Sequence, residues 1–407
     1  MATENNNKTL NVPNLRFPEF SGEWQNVTLS DIVTRVTRKN KNNESRLPLT
    51  ISAQYGLVDQ ISFFNKVVAS ADMSNYYLLK EGEFAYNKSY SSEYPWGAIK
   101  RLDRYPQGAL SSLYICFGIN DNVDSDFLVH YFESSKWHKE VSNIAGEGAR
   151  NHGLLNIAVG DFFNTAHCIP ATIKEQQKIA ALLNLITERI ATQIKIIEDL
   201  KKLKSAISKH LFARKDLLET TICLSDIATL KNGYAFQSSK YNPQGKWKIL
   251  TIANVSGERY INDEDCNCII NLPSDIQNHQ VLKEGDILIS LTGNVGRVSL
   301  CKAGNYLLNQ RVGLLQFTNN ANREFIYQVL SSRRFENSMI ACGQGAAQMN
   351  IGKGDVEDYT IPYSANSLNL EVVASTLKTY DLLISVEVDR LRLFMQQKQY
   401  LLAQMFI

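Results

Sequence analysis

The sequence predicts an α+β protein built twice in tandem, each copy an α+β domain followed by one long helix, with the two helices packed on each other. Three observations lead there. Short phrases recur in one order about 195 residues apart, the recurrence runs without a gap through two stretches free of glycine and proline, and both stretches carry apolar residues at coiled-coil spacing.

The phrases come first. "TLSDI" (Thr28 to Ile32) returns as "CLSDI" (Cys223 to Ile227), and "KEGE" (Lys80 to Glu83) as "KEGD" (Lys283 to Asp286). "FLVHYFESSKWHKEVSNIAGEGA" from Phe127 matches "FIYQVLSSRRFENSMIACGQGAA" from Phe325. Asn156-Ile157 returns as Asn350-Ile351, and Ile169-Pro170 as Ile361-Pro362. Offsets wander between 192 and 203 through these parts, then hold at 194 from Ile179–Phe212 against Val373–Phe406. The period is too long for a solenoid of 20–50-residue units, so whole modules are duplicated.

The elements follow in chain order. Residues 1–19 form a lead-in, 20–170 the first α+β domain, 171–215 the first long helix, 216–362 the second domain and 363–407 the second helix. Within the domains, "ALSSLYICF", "DILISL" and "RVGLLQF" read as strands, and Gly, Asn and Asp clusters such as "SLTGNVGR" punctuate them. In the first helix the seam is Ile179, Leu183, Ile186, Ile190, Gln193, Ile197, Leu200, Lys204, Ile207 and Leu211. In the second it is Val373, Leu377, Tyr380, Ile384, Glu387, Leu391, Phe394, Lys398, Leu401 and Met405. The polar breaks fall at equivalent places, Gln193 with Glu387 and Lys204 with Lys398. An inserted residue would rotate such a seam by about 100° off its partner, whereas a loop tolerates insertion cheaply. The helices therefore act as a fixed spacer carrying two domains that differ. Leu182, Ile194, Ile196 and Leu203 widen the apolar face beyond a two-stranded seam and call for further helices from a partner.

Composition bounds the function classes. A net charge of +2 neither announces nor excludes nucleic acid. Seven scattered cysteines without a C-x-x-C pair fit reduced thiols in a cytoplasm, and argue against a disulfide framework or a zinc site. No 18-residue apolar run and no apolar leader occur, so neither membrane spanning nor secretion is expected. No N-P-P-[FY] tetrapeptide, G-x-x-x-x-G-K-[ST] loop or E-x-K tripeptide is present, and the six histidines lack metal-ligand spacing. No catalytic residue and no metal site are expected in this chain.

The ordered set "[TC]LSDI", "KEG[ED]", "G-x-G-A" before "N-I", "IP", then "EQQKIA" opening a long helix that ends in "LF" resembles the specificity subunit of type I restriction-modification systems. "LRFPEFSGEW" (Leu15 to Trp24) is similar to that family's lead-in, and "SLNLEVVAS" departs from "EQQKIA" at the second helix start. The resemblance implies two target recognition domains and an antiparallel coiled coil with pseudo-two-fold symmetry. It implies a non-catalytic subunit reading a bipartite, asymmetric site on double-stranded DNA and docking two methyltransferase subunits and restriction subunits. S-adenosylmethionine, ATP and Mg would belong to those partners, with no cofactor bound by this chain. The alternative is a duplicated coiled-coil scaffold that binds proteins without DNA.

DNA recognition requires cations for phosphates and forked amides or guanidinium groups for base edges. Candidates in the first domain are Lys39, Lys41, Lys88, Tyr90, Arg101, Arg104, Arg150 and Asn151. In the second they are Lys231, Tyr234, Lys240, Thr292, Asn294, Arg297, Gln310, Arg311, Gln344 and Gln348. Any one of them, taken alone, reads first as a solvated surface group. The glycine-flanked positions Arg150, Lys88, Arg297, Gln344 and Gln348 rank highest, because glycine lets a backbone approach a ligand.

Overall fold

The computed structural model describes residues 11–146, 153–318, 321–344 and 349–407. The long helices are Ile173–Ala213 and Ser367–Gln404. Two compact units divide the chain inside those helices: the residues up to Gln193 join Leu391–Ile407, and Ile194–Arg390 form the other.

In the first unit an antiparallel sheet runs Val33–Arg35, Ile115–Ile119, Phe84–Asn87, Ala98–Arg101. A second sheet runs Gly56–Asp59, Pro48–Ser52, Gln107–Leu110, Tyr77–Lys80, with its central pair parallel. A two-stranded ribbon pairs Gln25 with Ile169. The second unit repeats this plan. Its antiparallel sheet runs Ala228–Asn232, Val312–Phe317, Ile287–Ser290, Val298–Leu300, and the mixed sheet Asn267–Ile269, Trp247–Leu250, Tyr306–Leu308, Val281–Leu282. Its ribbon pairs Thr220 with Tyr363.

The recurring phrases are turns that close on themselves. In "KEGE" the Glu83 carboxylate accepts from the Lys80 N–H at 2.8 Å, and in "KEGD" Asp286 accepts from Lys283 at 2.8 Å. The glycine of each has a left-handed φ, +83° at Gly82 and +81° at Gly285, which a side chain would strain. In "LSDI" the Asp31 carboxylate accepts from Thr28 N–H at 2.7 Å, and Asp226 accepts from Cys223 at 2.9 Å.

Each core sits between its antiparallel sheet and its helices. In the first unit Phe84 stacks on Phe117, and Phe127 packs against Phe406. Ile179, Leu183 and Ile186 are buried there with Leu401 and Met405, while Ile190, Leu391 and Phe394 are half-buried. In the second unit Ile197, Ile384, Val373 and Leu377 are buried, and Leu200, Ile207, Leu211 and Tyr380 are half-buried. The helix segments of this unit run antiparallel. Lys204 meets Asp381, and Leu211, further along one helix, shares a core with Val373, further back along the other.

The two helix starts differ in chemistry. Glu175 and Gln176 of "EQQKIA" are buried: Glu175 accepts from Arg16 at 2.8 Å and 2.9 Å and from the Trp24 indole at 3.1 Å. Gln176 accepts from the Asp124 N–H and donates to the Pro170 carbonyl. The lead-in is therefore bolted to the first helix turn by a charge-assisted, bidentate contact. The second copy puts Leu370 in its core instead, and Glu219 closes the turn by accepting from Ser364 and the Ala365 N–H. Among the described residues no helix is long and apolar enough to cross a membrane.

The first ribbon carries a buried pH-sensitive group. His167 is enclosed by the Tyr131 and Thr165 hydroxyls, both at 2.8 Å, and burial pushes its pKa down to about 4. The unfolded chain protonates this imidazole near pH 6.5. Stability from the neutral ring is thus full above about pH 6.5 and lost as pH falls towards 4. Replacing His167 with Gln, which keeps hydrogen bonding without titrating, should flatten the fall in Tm across that window in a pH series of melts.

Candidate nucleic-acid interface

Loops from separate strands of the second unit converge on one face. Gly233 lies so close to Asn309 that a Cβ there would sit 2.2 Å from the Asn309 carbonyl oxygen, so only glycine permits the approach. The Tyr234 N–H donates to the Leu308 carbonyl and the Gln310 N–H to the Tyr234 carbonyl. Opposite, Thr292 donates to the Asn350 side chain at 2.7 Å, and Ile351 and Gly293 bond across to Leu291 and Met349.

These links frame a cavity of about 410 Å3 lined by Asn232, Thr292, Gln310, Arg311, Asn350 and Lys353. A second of about 530 Å3 is lined by Lys231, Gln277, Asn278, His279, Gln280 and Gln316, and the two share Asn232 and Lys353. Among the described residues their linings hold three cations, one histidine and seven side-chain amides, with no carboxylate. That donor-rich composition suits phosphate oxygens and the acceptor edges of purines, where amides and guanidinium groups bond in pairs. The nearest restraint on a cation is the Lys353–Glu357 pair at 3.6 Å, which leaves the lysine half-exposed.

The remaining second-domain candidates lie elsewhere or are tied down. The Tyr234 hydroxyl donates to Asp275 at 2.8 Å, and Arg297 lies 3.6 Å from Glu336 with its stem along Gly257. Lys240, Asn294 and Gln344 are exposed, and Gln348 lies outside the described residues.

The first unit repeats the loop pairing. Leu155 donates to the Lys88 carbonyl and Tyr90 to the Gly153 carbonyl, bringing Lys88 and Tyr90 beside the segment at 153–155. Arg150 and Asn151 lie outside the described residues. Lys39 is held by the Asn75 carbonyl at 2.9 Å and sits 4.1 Å from the Tyr77 ring. Arg101 bonds Asp103, Asp126 and Ser125 at 2.6–2.8 Å, which commits its fork inside the protein. Lys41 and Arg104 are exposed.

The structure thus gathers Lys231, Thr292, Gln310 and Arg311 in one groove. It adds Lys353, Asn232, Asn350, His279 and Asn278, which the sequence reading passed over. Lys353 stands between Gly352 and Gly354, so the glycine-flank criterion would have found it. Asn350, a landmark of the repeat in the sequence, is a lining residue in the structure.

Beyond the seam, Leu182 is half-buried against the first core, whereas Ile194, Ile196 and Leu203 are exposed. Leu382, Leu383, Val386 and Leu393 on the second helix are exposed as well.

The structure thus combines a duplicated α+β domain carried on long helices with a groove whose described lining holds cations and amides and no carboxylate. Residues 219–391 match the family model "Type I restriction modification DNA specificity domain". The match covers the second module and the start of the long helix that follows it, and the whole chain shares the fold of solved type I specificity subunits. The S subunit of the type I restriction-modification system from M. genitalium is 15% identical with a TM-score of 0.57, over 97% of this chain and 99% of that one. A chain from a study of complex assembly and conformational transition of the type I R-M system is 17% identical with a TM-score of 0.57, over 94% of this chain and 97% of that one. No curated protein matches the sequence.

Substitutions in the groove should separate two kinds of contact. Lys353→Ala should weaken binding evenly across DNA sequences and lower the slope of log K against log salt by about 1. Arg311→Ala should cost about 1–3 kcal/mol on the cognate duplex and less on others. Fluorescence anisotropy across a salt series checks both.

Proposed function

We propose that this chain is the non-catalytic subunit through which a type I restriction-modification complex reads its DNA site. One observation carries the reading: a groove of amides and cations without carboxylates, inside a domain of the DNA-specificity family. The second domain reads one half-site through that groove. The first reads the other through the Lys88–Tyr90 and 150–155 loops, so the site is bipartite and asymmetric. The exposed apolar residues flanking the helical seam supply docking area for two methyltransferase subunits, and restriction subunits join that assembly. S-adenosylmethionine, ATP and Mg are used in those partners, and the complex works in the cytoplasm. A duplicated scaffold that ignores DNA would have no use for the groove's composition.

The purified chain should show no methylation of its own and give methylation at a single asymmetric motif once mixed with its methyltransferase partner and S-adenosylmethionine. Methylation by the chain alone would refute the reading. Replacing residues 216–362 with the corresponding domain of a relative should change one half of the motif in methylome sequencing and leave the other half intact.

The helices should also set the gap between half-sites. Matched seven-residue insertions, after Gln193 and after Arg390, add two helical turns and about 10.5 Å while nearly preserving the seam's facing. The motif's spacer should lengthen by about three base pairs at roughly 3.4 Å each. A working complex with the original spacer would rule out the helices as the measure of distance.

A further inference from the structure

The two seam lysines occupy equivalent places in the repeat, yet the structure gives them acids from different elements. In the second unit Lys204 Nζ lies 2.5 Å from Asp381 on the facing long helix. The other Asp381 oxygen accepts from Gln328 at 2.7 Å and from Arg259 at 3.2 Å, and Arg259 also pairs with Glu324 at 2.6 Å. In the first unit Lys398 Nζ lies 2.8 Å from Glu133, which belongs to the domain helix Ser125–Glu133. Glu133 also bonds His130 at 3.1 Å, and His130 bonds Asn184 of the long helix at 2.7 Å.

The repeat shows what has moved. The helix offset of 194 sets Asp381 against Thr187, and the domain offset of 198 sets Glu133 against Ser331. Thr187 and Ser331 turn their hydroxyls into their own helices, to the Leu183 and Gln328 carbonyls. Each lysine is more than four-fifths buried, with side-chain exposures of 18% and 14%. An ammonium in such a place is costly unless an acid stays with it. Each unit therefore has its acid, carried by the domain in one and by the helix in the other.

We propose that this exchange of acids is a positional key, tying each recognition domain to the helix segments on which it rests. Set on the first unit's helices, the second domain would bring Ser331 to Lys398 where the helix offers only Thr187, leaving the lysine without an acid. On the second unit's helices, the first domain would set a second acid, Glu133, beside Asp381 and remove the Arg259 that now pairs with it, bringing only Lys100, already beside Glu133, in exchange. The order of the two domains along the chain is thus written into the buried charges as well as into the linkers.

The test uses the full chain and reads Tm. Glu133→Ser copies the second domain and should lower Tm by several degrees. Adding Thr187→Asp, which copies the second helix, should recover most of that loss, although Thr187→Asp alone brings no gain. A double variant melting no higher than Glu133→Ser overturns the key. Where Glu133→Ser alone does not fold, recovery of soluble, cooperatively melting protein on adding Thr187→Asp supports the proposal, and failure to recover it counts against it. Glu133→Ser with Lys398→Met supplies a second arm. Removing the cation with its acid should restore Tm relative to Glu133→Ser, and no restoration means that the lysine is not what the acid holds.

Discussion

Neither module completes its own hydrophobic core, and the rest of the architecture follows from that constraint. The first α+β domain is closed by Leu401, Met405 and Phe406, from the far end of the other module's helix. The second is closed in part by Ile207, Leu211 and Phe212, from the far end of the first. Phe406 packs on Phe127 and Phe212 on Phe325, at equivalent places in the repeat. Burial of such side chains is worth about 1.5–3 kcal/mol each. A helix shortened or slipped by one residue would withdraw that contribution from a domain more than 100 residues away in sequence. The constant offset through the helices has this cause, and so does the freedom of the loops, which answer only to their own turns.

The same difference decides how much was legible in the sequence. "KEG[DE]" and "LSDI" repeat because each carries its own closing hydrogen bond within four residues, so a short phrase specifies a turn wherever it falls. The helical seam is legible because its period is local too. The groove is not, since its lining comes from Lys231–Asn232, Gln277–Gln280, Thr292, Gln310–Arg311 and Asn350–Lys353, segments that meet only after both sheets of the unit have formed. A lone asparagine or glutamine in these segments carries no local mark of that meeting, whereas Lys353, between Gly352 and Gly354, does. Arg101 shows the converse: it stands among cations in "AIKRLDRY", and its partner Asp126 is 25 residues away.

The departure at the second helix start has the same kind of explanation. Glu175 is buried because Arg16 and Trp24 from the lead-in need an acceptor there. No second lead-in precedes residue 216, so an acid at the corresponding place would be buried without a cation. An unpaired buried carboxylate costs more than the hydrogen bonds it replaces. Asn369 and Leu370 fill those positions instead, with Leu370 in the core and Asn369 bonded to Ser364.

Polar seam positions complete the argument. Apolar residues at Lys204 and Lys398 would pack adequately, for buried ion pairs seldom exceed well-packed hydrophobic contacts in stability. What charge adds is discrimination, because a slipped register strands a lysine without its acid, whereas an apolar seam tolerates several registers. In the second unit the lysine, two acids, an arginine and Gln328 are joined in one network, and removing any member leaves another uncompensated. A domain whose core is completed by a distant helix end needs that end in one position only. The apolar seam supplies the attraction between the helices, and the lysines supply the register.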